Sequence, residues 1–233
     1  MTQVQQSAQR DLRTYGRRRG RVRSRRQQEL WTQVLPRVAL PACEGALGDT
    51  AGLFSPRVRD TWLEIAFGGG EHLIWQAAHN PDIGVIGCEP FEDGVVKVLA
   101  ALEAEARPNL LLWPDDARPL LRQLPRESLG RVFILFPDPW PKKRHHKRRL
   151  ITTQSLEHLA GAMRAGAELR IATDIGAYAN AILLAVSGHR GFRWVATSPA
   201  DWRERRSDWP PTRYESKALA AGRRCYYLRF ERI

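Results

Sequence analysis

The residues best suited to chemistry lie between Phe136 and Arg149, in the stretch Phe-Pro-Asp-Pro-Trp-Pro-Lys-Lys-Arg-His-His-Lys-Arg-Arg. Asp138 supplies a hydrogen-bond acceptor, Trp140 a flat face, and six Lys/Arg with two His a dense positive charge, all inside fourteen residues. That set suits a nucleobase held by its edge while cations grip its phosphates. The same residues also fit a proline-rich turn opening into a solvated basic helix. The apolar run Val132 to Leu135 reads as a buried strand that the prolines must stop. Asp138 is therefore expected at a strand's C-terminal end, its neighbours restricted by proline on both sides.

Other acids recur in comparable places. Glu64 lies in the run Trp62 to Phe67, just before the glycine turn Gly68-Gly69-Gly70. Glu89 closes the run Ile83 to Cys88, 25 residues after Glu64, where it is placed to accept from both hydroxyls of a ribose. Asp115 and Asp116 follow Leu110 to Trp113, and Asp174 follows Leu169 to Thr173. Single acids at strand ends are ordinary turn formers. A rim of them suits a sulfonium cofactor with a ribose and an adenine amine and would repel a pyrophosphate. A dinucleotide fingerprint would need a glycine at position 73, where Leu73 stands. The spacing of Glu64, Gly68 and Gly70 instead resembles the methyltransferase pattern acid-x-Gly-x-Gly-x-Gly. Ala66 replaces its first glycine, and an L side chain there predicts φ below zero.

The elements that must position these groups follow from periodicity. Five short, nearly continuous apolar runs read as parallel strands covered on both faces. Between them, Val95, Val98, Leu99 and Leu102 recur at helical spacing, as do Leu156, Leu159, Ala160 and Met163, and Tyr178, Ala181, Ile182 and Ala185. The fold class is α/β, a doubly wound Rossmann-like sheet, mostly parallel, whose ligands bind beyond the strand ends. Phe192 to Ala196 and Tyr226 to Phe230 read as later strands with an antiparallel C-terminal member. Leu30 to Pro56 reads as an irregular lead-in.

A chain of 233 residues can bury one large core, and residues 29–233 are taken as a single domain. Its net charge of +12 is concentrated: residues 10 to 26 hold nine Arg and one Asp, and residues 142 to 149 hold six Lys/Arg. Without these two clusters the body is close to neutral. Localised charge favours a nucleic-acid partner, and residues 1–28 are read as a mobile RNA-binding arm that cannot fold alone. The same Arg-rich start also has the character of a mitochondrial transit peptide, although Glu29 and Leu30 to Leu40 continue into a folded segment. Cys43, Cys88 and Cys225 are too scattered for a zinc site or a disulfide framework, so no metal is expected and a reducing, cytoplasmic setting is. No apolar run is long enough to span a membrane. The assembly is compatible with a monomer or a homodimer.

With these residues assembled, the chain resembles the bacterial tRNA (guanine-N7)-methyltransferases, which use S-adenosylmethionine. The stretch Phe136 to Arg149 carries most of the likeness, supported by Ala172-Thr173-Asp174 and Thr212-Arg213-Tyr214-Glu215. The resemblance implies methylation of a guanosine at position 46, in the tRNA variable loop. It implies that Glu64, Gly68, Gly70, Glu89, Asp116 and Asp138 bind the cofactor, Asp138 also acting in catalysis. Lys142, Asp174, Thr212, Arg213, Tyr214 and Glu215 would then bind substrate, and Arg144, His145, His146, Lys147, Arg148 and Arg149 would contact RNA. Two other readings stay open: an RNA-binding α/β protein without catalysis, and a methyltransferase acting on an exocyclic amine.

Overall fold

The computed structural model describes residues 18–20, 22–41 and 45–233. Apolar runs become strands where both faces are covered: β1 (Asp60–Ile65) and β2 (Ile83–Cys88) are buried at every position, and β4 (Leu129–Leu135) over its last four. With β3 (Leu110–Trp113), β5 (Met163–Thr173), β6 (Phe192–Trp194) and β7 (Tyr226–Arg232) they form one sheet of order β3-β2-β1-β4-β5-β7-β6. The first five strands are parallel, and β7 runs antiparallel between β5 and β6. The order reverses between β1 and β4, which opens a crevice beyond Ile65 and Leu135.

Alternation along each strand sends side chains to two separate cores. Leu63, Ile65, Val132 and Ile134 pack towards α5 (Ala117–Gln123), α6 (Thr153–Ala162) and α7 (Gly176–Ser187). Trp62, Phe133 and Leu135 pack towards α3 (Glu71–His79) and α4 (Glu92–Ala104), and Glu64 shares that face by period two. The stripe Val95, Val98, Leu99 and Leu102 is buried as its spacing requires. On α7 the stripe is instead Tyr178, Ala179, Ile182 and Val186, while Ala185 is exposed. Small alanines pack equally well on either flank, so they did not set the phase. Met163 leaves α6 and starts β5, whose first half is exposed at Arg164 to Gly166 and gave no apolar run.

The lead-in is more regular than expected. Ser24 caps α1 (Arg25–Gln33) through a capping box with Gln27, and Leu30 is buried beneath it. A short α2 (Leu35–Val38) follows, then a bridge from Ala39 to Leu112 and a 3-10 turn at Thr50–Leu53. The helix thus begins inside the segment assigned to the arm, and Arg23 joins it to the body by an ion pair with Glu92 at 2.8 Å. Residues 1–17 and 21 of that arm lie outside the described residues. The later part of the chain adds α8 (Ala200–Arg203) and α9 (Arg213–Ala220) before β7.

Ala66 overturns the expectation of a negative φ. It adopts φ +60°, because its N–H must reach the Cys88 carbonyl at 2.7 Å while the chain leaves β1. An L residue in this region costs roughly 1–2 kcal/mol. Replacing Ala66 by Gly is expected to stabilise the fold by about 0.5–1 kcal/mol after the added freedom of the unfolded chain, measured by chemical denaturation.

Candidate active site

At the strand ends, backbone donors gather on one carboxylate. Glu89, 6% exposed, accepts the Gly68 N–H at Oε2 and the Phe91 N–H at Oε1, both at 2.8 Å. It therefore ties the turn after β1 to the start of α4. Gly68 has φ +59° and Gly70 φ +79°, and a Cβ on Gly70 would lie 2.2 Å from Val98 Cγ2, so that close turn requires glycine. Burial pushes the Glu89 carboxyl above its usual range, aided by the charges of Asp138 and Glu64 and opposed by its two N–H bonds. Asp116 caps α5, accepting the Arg118 N–H at 2.8 Å and its guanidinium at 2.7 Å.

The proline loop after β4 is held in strained backbone. Phe136 and Trp140 have φ +52° and +41°, conformations that cost bulky residues of order 1–3 kcal/mol each. Packing sustains them: Arg149 donates to the Pro139 carbonyl at 2.9 Å and covers the Tyr178 ring at 4.8 Å, and Arg148 lies 4.9 Å over Trp140. Asp138 sits exposed on this loop and receives no hydrogen bond from a described residue.

These pieces surround a cavity of about 350 Å³ lined by Gly68, Glu89, Phe91, Asp116, Asp138, Trp140, Arg148 and Tyr214, with apolar Ile65, Ala117 and Leu150. Its three acids, Glu89, Asp116 and Asp138, border a largely apolar space large enough for a nucleoside-sized ligand. Hydroxyls, an amine and a sulfonium centre are what acceptor-only groups favour, so the residues fit the expected cofactor.

Of the remaining expected residues, Arg148 and Tyr214 line this cavity and the others lie outside its lining. Glu64 lies outside its wall, 2% exposed and 2.7 Å from His72 Nδ1. Gly70 starts α3. Thr212 and Glu215 form the capping box of α9, and Glu215, buried, also accepts from Arg205 at 2.9 Å and the Tyr227 hydroxyl at 2.5 Å. That box turns Tyr214 into the cavity and leaves Arg213 exposed. Asp174 is paired with Arg223 at 2.7 Å. Lys142 is exposed and precedes a 3-10 turn, Lys143–Arg148, on which Arg144, His146 and Lys147 face solvent. Desolvation and the surrounding cations lower the pKa of His145. Phe91, Arg118 and Leu150 were missed by the sequence reading; the first two carried a usable signal, an aromatic before a helix start and an Arg two residues after an N-cap Asp.

A family model described as "Putative methyltransferase" matches residues 59–228. The tRNA (guanine-N(7)-)-methyltransferase of Rhodospirillum rubrum is 48% identical over 95% of this chain and 88% of its own length. The chain belongs to the tRNA (guanine-N7)-methyltransferase family. The correspondingly named protein of a Chelativorans species is 45% identical over 94% of both chains. Among solved structures, the 16S rRNA methyltransferase KamB superposes with TM-score 0.56 over 84% of this chain and 99% of its own, at 14% identity, and so shares the fold. The family's cofactor is S-adenosylmethionine. Among the described residues no helix is long and apolar enough to cross a membrane.

The raised Glu89 carboxyl gives a pH test. The Glu89 proton is held to higher pH than that of an ordinary glutamate, and hydroxyl donors of a ribose placed beside it would favour the carboxylate over the acid. Cofactor affinity measured by calorimetry is expected to fall as pH is lowered from neutrality toward the usual carboxylate range. Glu89→Gln is expected to bind more weakly and to lose that dependence.

Proposed function

We infer that this chain transfers the methyl group of S-adenosylmethionine to N7 of a guanosine in tRNA, at position 46 in the variable loop, and does so in the cavity between β1 and β4. The observation that carries the reading is the meeting of Glu89, Asp116 and Asp138 with Trp140 and Tyr214 around one space, with exposed cations beside its mouth. The cofactor, when bound, supplies an electrophilic methyl on a positively charged sulfur. Guanine N7 has an in-plane lone pair, so the protein need not remove a proton before attack. Its residues have only to align the partners and accept the charge that passes to the base. Alignment alone is worth on the order of 7–11 kcal/mol in the best oriented systems.

Asp138 suits the junction of the two substrates. Its carboxylate is exposed at the cavity lining; accepting from the guanine N1–H and 2-amino group, it would disfavour adenine. Asp174, already paired with Arg223, would make a supporting contact. Trp140 and Tyr214 offer faces for the ring, and Lys142, Arg144, His146 and Lys147 offer donors to phosphates. Residues 1–28 add a second cationic element for the same RNA. A tRNA substrate and two buried free thiols, Cys88 and Cys225, fit the cytoplasm.

Asp138→Asn is expected to lower kcat/KM for methyl transfer to unmodified tRNA by roughly a hundredfold or more, and Asp174→Asn by roughly tenfold. Nucleoside mass spectrometry of the product distinguishes N7 from amine methylation; near-wild-type rates in both variants would refute the site. The double change Arg144→Ala and Lys147→Ala should leave kcat intact. It should reduce the slope of log affinity against log salt by about 1.4–1.8, measured by tRNA binding at several salt concentrations.

A further inference from the structure

Below the cavity floor lies a buried polar chain that the reaction as described does not use. Glu64 and His72 are 2% and 1% exposed, on the face of the sheet occupied by Trp62 and Phe133. A carboxylate buried there is costly unless it is hydrogen-bonded. Its partner is fixed in orientation: the His72 ring meets Phe133 edge-on at 4.6 Å and lies 6.2 Å from Trp209.

The identity of the hydrogen on that ring follows from Gln76, one helical turn further on. Gln76 Nε2 donates to the Asp208 carbonyl at 3.1 Å, and Gln76 Oε1 accepts from Asn80 Nδ2 at 3.1 Å. The amide can face only one way, so its second N–H points to His72 Nε2, 3.1 Å away. Nε2 must accept, the ring hydrogen is on Nδ1, and Nδ1–H donates to Glu64 Oε2 at 2.7 Å. Glu64 Oε1 receives no hydrogen bond from a described residue. The far end is anchored as well, since Arg170, 1% exposed, donates to Asp208 Oδ2 at 2.7 Å.

We propose that His72 is a positioning residue for the cofactor: locked as the Nδ1–H tautomer by Gln76, it turns the Glu64 carboxylate so that Oε1 is presented to the cofactor's donor groups. The proposal rests on the reading that Glu64 holds the cofactor. Because the polar chain ends on Asp208, shortly before Thr212, the loop leading into the segment assigned to substrate also braces the group assigned to the cofactor.

The test uses the full chain and S-adenosylmethionine or S-adenosylhomocysteine in calorimetry, with steady-state kinetics on tRNA. His72→Leu is expected to weaken cofactor binding tenfold or more and raise the cofactor KM, with kcat and the tRNA KM changed less than twofold. His72→Asn, whose amide reproduces a donor at the Nδ1 position, should restore affinity to within about threefold. His72→Gln, which reaches instead to the Nε2 position, should not, and it serves if the leucine variant fails to fold. Full affinity in a folded His72→Gln or His72→Leu protein, alongside weakened binding in Glu64→Gln, overturns the role of His72 alone. Unchanged affinity in Glu64→Gln overturns the reading of Glu64 and this proposal with it.

Discussion

The crevice depends on one buried carboxylate satisfying two backbone amides at once. Glu89 holds the Gly68 N–H with one oxygen and the Phe91 N–H with the other, so the turns that leave β1 and β2 cannot separate without stranding a charge. Burial makes that charge expensive, and the neighbouring acids make it more so. A cationic ligand would relieve both penalties. The strand-order reversal between β1 and β4 supplies the space, and Glu89 gives its wall a buried acid.

The proline loop faces the opposite problem. Its residues must hold Asp138 in solvent at the cavity mouth, yet Phe136 and Trp140 both pay for a positive φ to do so. The compensation comes from the basic run itself, through Arg149 on the Pro139 carbonyl and Tyr178 and through Arg148 on Trp140. One segment thus combines an exposed acid, the arginines that brace its strained neighbours, and the outward cations proposed to meet RNA. On that proposal, substrate grip and loop geometry are coupled through six consecutive residues.

How much of this could be read in the sequence depended on distance along the chain. Parallel strands declared themselves as apolar runs, and the acids Glu89, Asp116 and Asp138 do converge as their strand-end positions implied. The exposed first half of β5 gave no such run, and the alanines of α7 could not fix which flank is inward. Capped α1 was hidden among arginines, although Ser24 and Gln27 carry its capping box. Ala66 shows a backbone demand overriding side-chain preference. His72, Gln76 and Arg170 were illegible for another reason: Gln76 meets Asp208 across 132 residues, and no local pattern encodes that.

The inward fold of Arg148 and Arg149 also bears on how such a sequence can drift. Arg144 and Lys147 act as exposed point charges, and either cation can serve there. Arg148 and Arg149 sit over aromatic rings, contacts that a delocalised, weakly hydrated guanidinium makes more readily than an ammonium. Exchange between lysine and arginine should therefore be nearly free at the outer positions and restricted at the inner two. A run that looks uniform in charge is, under selection, two different sites.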